Sequence, residues 1–365
     1  MWAGARKKLT MRRAYLMVHL WAGMIAALFL LALGVSGSIV AFENEIDRAL
    51  NPKLTWIEPG AKRLTLAQMA AKLEAAYPGS AVMAIGLSDR DDVAWNALLT
   101  SRAGNRAVAF NPYTGAVLGD ESQRNDFVGK VHQFHLRLLA GRAGGNVVTA
   151  AAVLLLVQAI TGIVLWWPRK LFTFGWRRSW RALNLDVHQV LGLYTSAFLI
   201  VFALTALVIH WDDDAPRWIN RLTGSANEPR FPQIRPLSPD KPAPDFDAVL
   251  AAAQAAEPDA HATGLFLGSN PVRIAMRHPE DHTPAGRTNV FVDAYTGKII
   301  MIVDSRKASP GFRLVKLWNR EVHTGDIGGL PTRILACAIS LSLPILVVTG
   351  PLIWWNRRRR VVPAK

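Results

Sequence analysis

Cysteine is almost absent from this sequence of 365 residues, which contains a single Cys and no Cys-x-x-Cys pair. A disulfide scaffold, a Cys-ligated zinc or iron–sulfur centre and a covalently attached c-type haem are therefore excluded. The sequence also has no Walker lysine loop, no His-Glu-x-x-His helix and no Gly-x-Gly-x-x-Gly fingerprint. Charged residues are scarce, at 19% against a hydrophobic fraction of 51%, so the composition is not that of a disordered chain.

The apolar residues are concentrated in four long runs. Each run is long enough to cross the hydrocarbon core of a bilayer, which takes about 20 helical residues. The sequence therefore predicts a membrane protein with four transmembrane helices. The first run is an uncleaved anchor rather than a signal peptide, because it is too long and no small-x-small cleavage site follows it. The four runs are residues 16–42, 147–167, 187–211 and 334–355.

The net charge of +15 comes from short segments beside these runs. Those segments hold fifteen basic residues and one acidic residue, Asp186, while the rest of the chain is nearly balanced. The positive-inside rule then places both termini in the cytoplasm and the two long segments between spans in the bacterial periplasm. This distribution argues against a nucleic-acid partner. The basic residues are Arg6, Lys7, Lys8, Arg12, Arg13, Arg169, Lys170, Arg177, Arg178, Arg181, Arg357, Arg358, Arg359, Arg360 and Lys365.

The chain also contains an internal repeat. An offset of 188 residues relates His135 to His323 and Thr161-Gly162 to Thr349-Gly350. Each half enters and leaves the membrane from the cytoplasm, so the repeats are parallel. The predicted fold is an α-helical membrane protein with four spans in two parallel repeats and periplasmic α+β modules.

The periplasmic segments show both helical and strand periodicity. Helical spacing covers residues 64–76 and 246–256, and short β-like runs cover 82–87, 107–110, 272–276 and 289–292. A Tyr-Thr-Gly unit follows one strand in each segment, as expected for a hairpin turn with glycine at positive φ. We expect His278 and His282 to lie in a solvated turn.

The predicted organisation follows from these patterns. Residues 1–15 are a cytoplasmic N-terminus, 16–42 the first span, 43–131 a periplasmic module, 132–167 an interfacial segment and the second span, 168–186 a cytoplasmic loop, 187–211 the third span, 212–311 a periplasmic linker and second module, 312–355 an interfacial segment and the fourth span, and 356–365 a cytoplasmic tail.

The histidines near the spans form two levels. His19 and His188 lie near the cytoplasmic ends of the first and third spans, and His135 and His323 precede the second and fourth spans on the periplasmic side. A b-type haem in a helical bundle is held by neutral imidazoles from facing helices at one depth, without covalent attachment. The sequence therefore predicts two haems, one between His19 and His188 and the other between His135 and His323.

Other assignments remain open for these residues. Any one of the histidines is as well explained by an interhelical hydrogen bond or an interfacial position. His132 and His210 lie at a depth where either could replace a ligand or carry a proton. Arg137 and Arg142 are candidates for pairing with haem propionates or an anionic chelate, or for positions at the membrane interface.

The motifs resemble those of the PepSY-associated transmembrane helix family, also called iron-regulated or iron-uptake membrane proteins. The resemblance covers most of the chain. It rests on His19-Leu20-Trp21-Ala22-Gly23, the run from His135 to Gly141, Thr161-Gly162 with Trp166-Trp167-Pro168-Arg169, Asp186-Val187-His188, His323-Thr324-Gly325, and the strand–turn units from Phe110 to Gly115 and from Phe291 to Gly297.

The resemblance implies a location in the inner membrane of Gram-negative bacteria and, for some members, reduction of periplasmic Fe(III)-siderophores by b-type haem. The haem-ligand histidines of the family map onto His19, His135, His188 and His323. The expected function is therefore a haem-dependent ferric-siderophore reductase, with electrons from a quinol or another reductase, since a flavin or nicotinamide domain is missing. Two alternatives remain open: a non-catalytic membrane protein that binds or regulates a peptidase or sensor, and a haem conduit to another periplasmic acceptor.

Overall fold

The structure is a computed structural model that describes residues 2–167, 171–176, 179–238, 240–283 and 285–358, with side chains from residue 11 onward. Several basic residues of the predicted cytoplasmic segments lie outside this description, as does Pro168 of the tryptophan motif. The basic residues in question are Arg169, Lys170, Arg177, Arg178, Arg359, Arg360 and Lys365, together with the side chains of Arg6, Lys7 and Lys8.

The described residues form helices and strands in the following order. The helices are α1 (Trp2–Val40), α2 (Glu43–Leu50), α3 (Pro52–Thr55), α4 (Leu66–Ala76), α5 (Phe127–Arg137), α6 (Gly141–Trp166), α7 (Trp180–His210), α8 (Ala215–Thr223), α9 (Phe246–Ala256), α10 (Pro310–Phe312), α11 (Arg320–Thr324) and α12 (Leu330–Arg358). The strands are β1 (Ala81–Gly86), β2 (Trp95–Ser101), β3 (Gly104–Phe110), β4 (Val117–Asp120), β5 (Arg235–Pro236), β6 (His261–Phe266), β7 (Ser269–Asn270), β8 (Val272–Arg277), β9 (Thr288–Val292) and β10 (Ile299–Val303).

Four of these helices are long and apolar enough to cross a membrane: α1, α6, α7 and α12. They overlap the four predicted runs, which confirms a multi-pass membrane protein. The chain divides into two compact units, and the first contains residues 1–43, 127–213 and 318–365. This helical unit therefore holds all four spans together with the short helices α5 and α11.

The spans form a ring in which each helix packs against two others. Helix α1 contacts α6 and α12, and α7 contacts the same two helices, so α1 and α7 lie on opposite sides of the ring. Its centre is filled by small and aliphatic side chains from all four spans, as expected where close packing holds helices together in lipid. These are Ala26, Leu30, Ala151, Leu155, Leu199, Ala203, Ile339 and Leu343.

Helices α1 and α12 approach most closely at Gly34. A Cβ at that position would lie 2.7 Å from the carbonyl oxygen of Ser340 and 2.9 Å from the Cδ of Pro344. Those distances are too short for any side chain, so glycine is required for this crossing. The crossing matters for the site described below because Ser36 lies half a turn further along α1.

The second compact unit contains residues 44–126 and 214–317. Its main element is an antiparallel eight-stranded sheet in the order β10-β9-β8-β6-β1-β2-β3-β4. Both segments predicted as α+β modules contribute to it, and β1 of the first pairs with β6 of the second. The two modules therefore share one sheet.

One apolar core supports this sheet. Helices α4 and α9 contribute Met69, Leu73, Val249 and Ala253, which are almost fully buried with the inward residues of the strands. Helix α4 begins with the capping box that Thr65 and Gln68 form. The predicted hairpin turns are confirmed, since Gly115 has φ +72° and Gly297 has φ +68°.

Candidate functional site

The structure brings His19 and His188 together across the ring of spans. His19 projects from α1 and His188 from α7, and their ring centroids are 6.3 Å apart. The Nδ1 atom of His19 lies 2.9 Å from the hydroxyl of Thr161 on α6. The Nδ1 atom of His188 lies 2.8 Å from the hydroxyl of Thr349 on α12. Each imidazole is thus positioned by the neighbouring span.

His135 and His323 form a second pair with the same arrangement. Their ring centroids are 6.4 Å apart, with His135 on α5 and His323 on α11. The Nδ1 atom of His135 lies 3.0 Å from the hydroxyl of Ser36 on α1. The Nδ1 atom of His323 lies 2.7 Å from the hydroxyl of Thr205 on α7. Four histidines on four helices therefore share one mode of positioning.

The hydroxyl partners fix which ring nitrogen carries the proton. Each hydroxyl donates its hydrogen to the carbonyl oxygen four residues earlier in its own helix, over distances of 2.6 to 2.8 Å. A hydroxyl has one hydrogen, so the histidine must donate its Nδ1–H to the hydroxyl oxygen. The lone pair of each imidazole then lies on Nε2. This is the tautomer in which Nε2 can bind a metal.

Burial favours the neutral form of the second pair. It lowers the pKa of His135 to about 4, with a smaller effect from the nearby charge of His132. It lowers the pKa of His323 to about 3, and the neighbouring His135 contributes again. Both imidazoles are therefore unprotonated at neutral pH, as a metal ligand must be.

The separation within each pair matches that of two imidazoles on opposite sides of one metal. Metal–nitrogen bonds of about 2.0 Å, and about 1.1 Å from each nitrogen to its ring centre, separate the two centroids by roughly 6 Å. Within the described residues, no cluster of three or more His, Cys, Asp or Glu side chains is arranged to hold a metal ion. Each pair thus supplies two axial ligands.

A cavity of about 810 Å³ lies at the first pair, within the range of roughly 300 to 1,000 Å³ for ligand pockets. His19 and His188 both line it, and most of the remaining lining is apolar, including Trp21, Trp166 and Trp354. Such a cavity accommodates a largely apolar molecule that binds a metal between the two rings.

Glycines allow the rings to lie against neighbouring helices. A Cβ at Gly162 would lie 3.4 Å from the Cε1 of His19, and one at Gly350 would lie 3.4 Å from the Cε1 of His188. At Gly37 the corresponding distance, to the Cε1 of His135, is 3.0 Å. Each of these glycines directly follows the Ser or Thr that accepts the Nδ1–H of the same histidine.

The other predicted site residues lie apart from the two pairs. The Nδ1 of His132 forms an ion pair with Glu43, which also lies 3.8 Å from Arg320. The ring of His210, the last residue of α7, packs against Trp211. Arg137 and Arg142 are exposed.

The expectation of a solvated turn is wrong for His278. Its side chain is fully buried, with Nε2 3.8 Å from Glu257 and 3.9 Å from Asp304. The turn itself is present, but the sheet unit packs over the residue that ends β8.

The sequence analysis missed the four hydroxyl residues that orient the histidines. A regular spacing identifies them: Ser36 and Thr205 each lie 17 residues after His19 and His188, and Thr161 and Thr349 each lie 26 residues after His135 and His323. A comparison of histidine-to-hydroxyl distances between the two halves would have found them.

Comparison with known families agrees with the motifs. The family model described as "PepSY-associated TM region" matches residues 16–357, which include all four spans, the sheet unit and both histidine pairs. A comparison with curated proteins finds no significant match. Since the family model covers nearly the whole chain, the protein belongs to the family that carries the PepSY-associated TM region.

Proposed function

We propose that the protein is a haem-dependent electron conduit that reduces an Fe(III)-siderophore at the periplasmic face of the inner membrane. In this proposal His19 and His188 are the axial ligands of an inner b-type haem, and His135 and His323 are those of an outer one. The observation that carries it is the repeated geometry of two imidazole pairs, each about 6.3 Å apart between ring centroids and each oriented through Nδ1.

The residues of the chain fit this cofactor. Haem iron takes two axial ligands from the protein, and each pair offers two Nε2 lone pairs on opposite sides of a common centre. The largely apolar cavity at His19 and His188 suits a porphyrin. When bound, b-type haem supplies a one-electron carrier.

The bundle positions the pairs at two depths. His19 and Ser36 are separated by 17 residues of α1, which corresponds to about 25 Å along the helix axis. His188 and Thr205 have the same separation along α7. Aliphatic side chains of the four spans fill the interior between the two levels and exclude water from it.

The substrate follows from the resemblance and from iron chemistry. Fe(III) prefers hard oxygen ligands, which siderophores supply, and one electron converts it to Fe(II), which these ligands hold more weakly. The electron originates from a quinol or another reductase on the donor side. No bond of the chelator has to break, so the protein needs no nucleophile or general acid for the release of iron.

The proposed topology places both termini in the cytoplasm. The two segments that build the sheet both connect the non-cytoplasmic ends of spans, so they lie on one side of the membrane. The recurrence of the 17- and 26-residue spacings in both halves supports a duplicated, parallel arrangement.

The first experiment is a haem assay on the full chain purified in detergent after haem-replete expression. We expect a reduced-minus-oxidised spectrum of b-type haem and a pyridine haemochrome value of about two haems per chain. Absence of haem would reject the conduit and favour a binding or regulatory role.

A second experiment tests the acceptor. The dithionite-reduced protein is mixed anaerobically with an Fe(III)-siderophore and an Fe(II) trap after removal of excess reductant. We expect reoxidation of the haem with matching formation of trapped Fe(II). Haem that is reoxidised by other periplasmic acceptors but not by ferric chelates would favour the conduit to a different acceptor.

A further inference from the structure

Four arginines lie at one end of the cavity that holds His19 and His188. They come from the first and last spans, and the described residues that line the cavity include no Asp or Glu. The cavity therefore combines an apolar body, a pair of metal-binding nitrogens and an excess of positive charge. The arginines are Arg12, Arg13, Arg357 and Arg358.

The arginines lie at a similar distance from the histidine pair on both spans. Arg12 and Arg13 precede His19 by six to seven residues, or about 10 Å along α1. Arg357 and Arg358 follow Gly350, which lies against His188, by seven to eight residues, or about 11 Å along α12. The positive charge thus faces the edge of a planar ligand centred between the imidazoles.

Contacts within the bundle hold two of these guanidinium groups at the cavity. Arg12 donates from Nη2 to the carbonyl oxygen of Leu165 over 3.2 Å. The guanidinium of Arg358 lies 4.2 Å from the ring centroid of Trp354. A guanidinium carries five N–H donors, so neither contact exhausts its capacity to bind an anion.

We propose that Arg12, Arg13, Arg357 and Arg358 form a carboxylate-binding site that pairs with the two propionate groups of the haem between His19 and His188. This inference rests on the proposed function and adds the orientation of the inner haem, with its propionates at the arginine end. Arginine suits this task because its planar fork binds a carboxylate through two parallel hydrogen bonds. The chemistry recognised is an apolar, planar metal complex with carboxylates along one edge.

The test compares two porphyrins on the same protein. The full-length His135→Ala/His323→Ala variant, which keeps only the inner pair, is prepared haem-free and titrated with iron protoporphyrin IX and with its dimethyl ester. The ester has the same iron and macrocycle but lacks both carboxylate charges. We expect the acid to bind at least about 10-fold more tightly than the ester.

Substitutions then assign this preference to the arginines. Arg12→Gln/Arg13→Gln and Arg357→Gln/Arg358→Gln, made separately in the same background, should each weaken binding of the acid and leave binding of the ester nearly unchanged. Arg137→Gln/Arg142→Gln is the matched control and should keep the full preference. Size-exclusion profiles and thermal melts identify any variant that fails to fold, and the comparison of the two porphyrins on unsubstituted arginines does not depend on the variants.

The outcomes separate this inference from the proposed function. Equal binding of acid and ester would overturn the carboxylate site while leaving the haem proposal intact. Binding of neither porphyrin would overturn both. A preference for the acid that survives both glutamine pairs, with loss of co-purified anionic phospholipid instead, would assign the arginines to a lipid phosphate and overturn the inference.

Discussion

The smallest unit that organises the site is a histidine with its hydroxyl partner. His19, His188, His135 and His323 each donate Nδ1–H to a Ser or Thr whose own hydrogen is engaged by a helix carbonyl. This chain of two hydrogen bonds sets both the ring orientation and the tautomer. Partners of this kind also raise the basicity of a ligating imidazole. The histidines are therefore prepared for a metal by the neighbouring helices.

Removal of one hydroxyl should weaken one site selectively. Thr205→Val removes the acceptor of the His323 Nδ1–H and preserves the shape of the side chain. We expect about 10- to 100-fold weaker retention of the outer haem, because loss of such partners typically costs that much metal affinity. The midpoint potential of the remaining outer haem should also rise, since a less basic ligand stabilises Fe(III) less. Haem stoichiometry and a redox titration measure both effects.

Thr195→Val provides the control for this prediction. Thr195 is buried on the same helix and donates to the carbonyl oxygen of Leu191 over 2.8 Å, as Thr205 donates to Val201. It should therefore reproduce any general cost of removing a hydroxyl from α7 without an effect on the outer haem. Equal losses in the two variants would show that the bond to His323 has no specific role.

At the scale of helices and strands, close approach decides where function can be placed. The ring of His135 rests on Gly37 of α1, three residues after the tight crossing with α12 at Gly34. The rings of His19 and His188 rest on Gly162 and Gly350 with more room. The outer pair is therefore the more sensitive of the two to added volume on the adjacent span.

A matched pair of glycine substitutions tests this difference. Gly37→Ala would place a Cβ 3.0 Å from His135, so the ring must shift by a few tenths of an ångström, whereas Gly162→Ala would place one 3.4 Å from His19, an ordinary contact. We expect the electron paramagnetic resonance signal of the outer ferric haem to change in the first variant. The second should leave the inner signal unchanged. An unchanged outer signal in Gly37→Ala would contradict this account.

The hairpin turn after β9 depends on an ionised carboxylate. Asp293 accepts hydrogen bonds from the side chain of Asn270 and from the backbone amides of Tyr295 and Thr296. These bonds, that of Asn270 first, lower the pKa of Asp293 to about 2. A folded-state pKa below the unfolded value means that the carboxylate stabilises the fold above about pH 4 and loses this effect as the pH falls toward 2.

Asp293→Asn should therefore lower stability at neutral pH and have less effect in acid. The new amide would place its NH₂ group near the NH₂ of Asn270, which now donates to the carboxylate. Thermal melts of the full chain at about pH 7 and about pH 3 should show the wild-type advantage shrinking as Asp293 is protonated. Asp259→Asn, at an exposed loop position, is the control. A difference between wild type and Asp293→Asn that is independent of pH would exclude this role for the charge.

At the scale of the whole molecule, the sequence predicts the elements better than their partners. Hydropathy identifies all four spans, and helical spacing identifies α9 at its observed bounds. Periodicity carries no information on which strands pair across 180 residues, so the β1–β6 junction that joins the two modules could not be predicted.

The same limit applies to the site. A polar residue at membrane depth is conspicuous in a sequence, so the four histidines could be predicted from their positions. A Ser or Thr in a span is not conspicuous, because its hydroxyl ordinarily bonds the carbonyl of its own helix. Ser36 and Thr161 make that ordinary bond and also accept from histidine, and only the fold reveals the second contact.

The two pairs together predict a transmembrane activity that neither supports alone. They are separated by about 25 Å along the bundle, so each should be required for electrons to pass from one face to the other. In proteoliposomes with an enclosed reductant and an external Fe(III)-chelate with an Fe(II) trap, His188→Ala should lose the inner haem and His323→Ala the outer one. Both should abolish formation of external Fe(II), while His210→Ala, whose ring packs on Trp211, should retain both haems and the activity. Continued transmembrane reduction in either of the first two variants would show that one pair suffices, and two unchanged haem spectra would reject the ligand assignment itself.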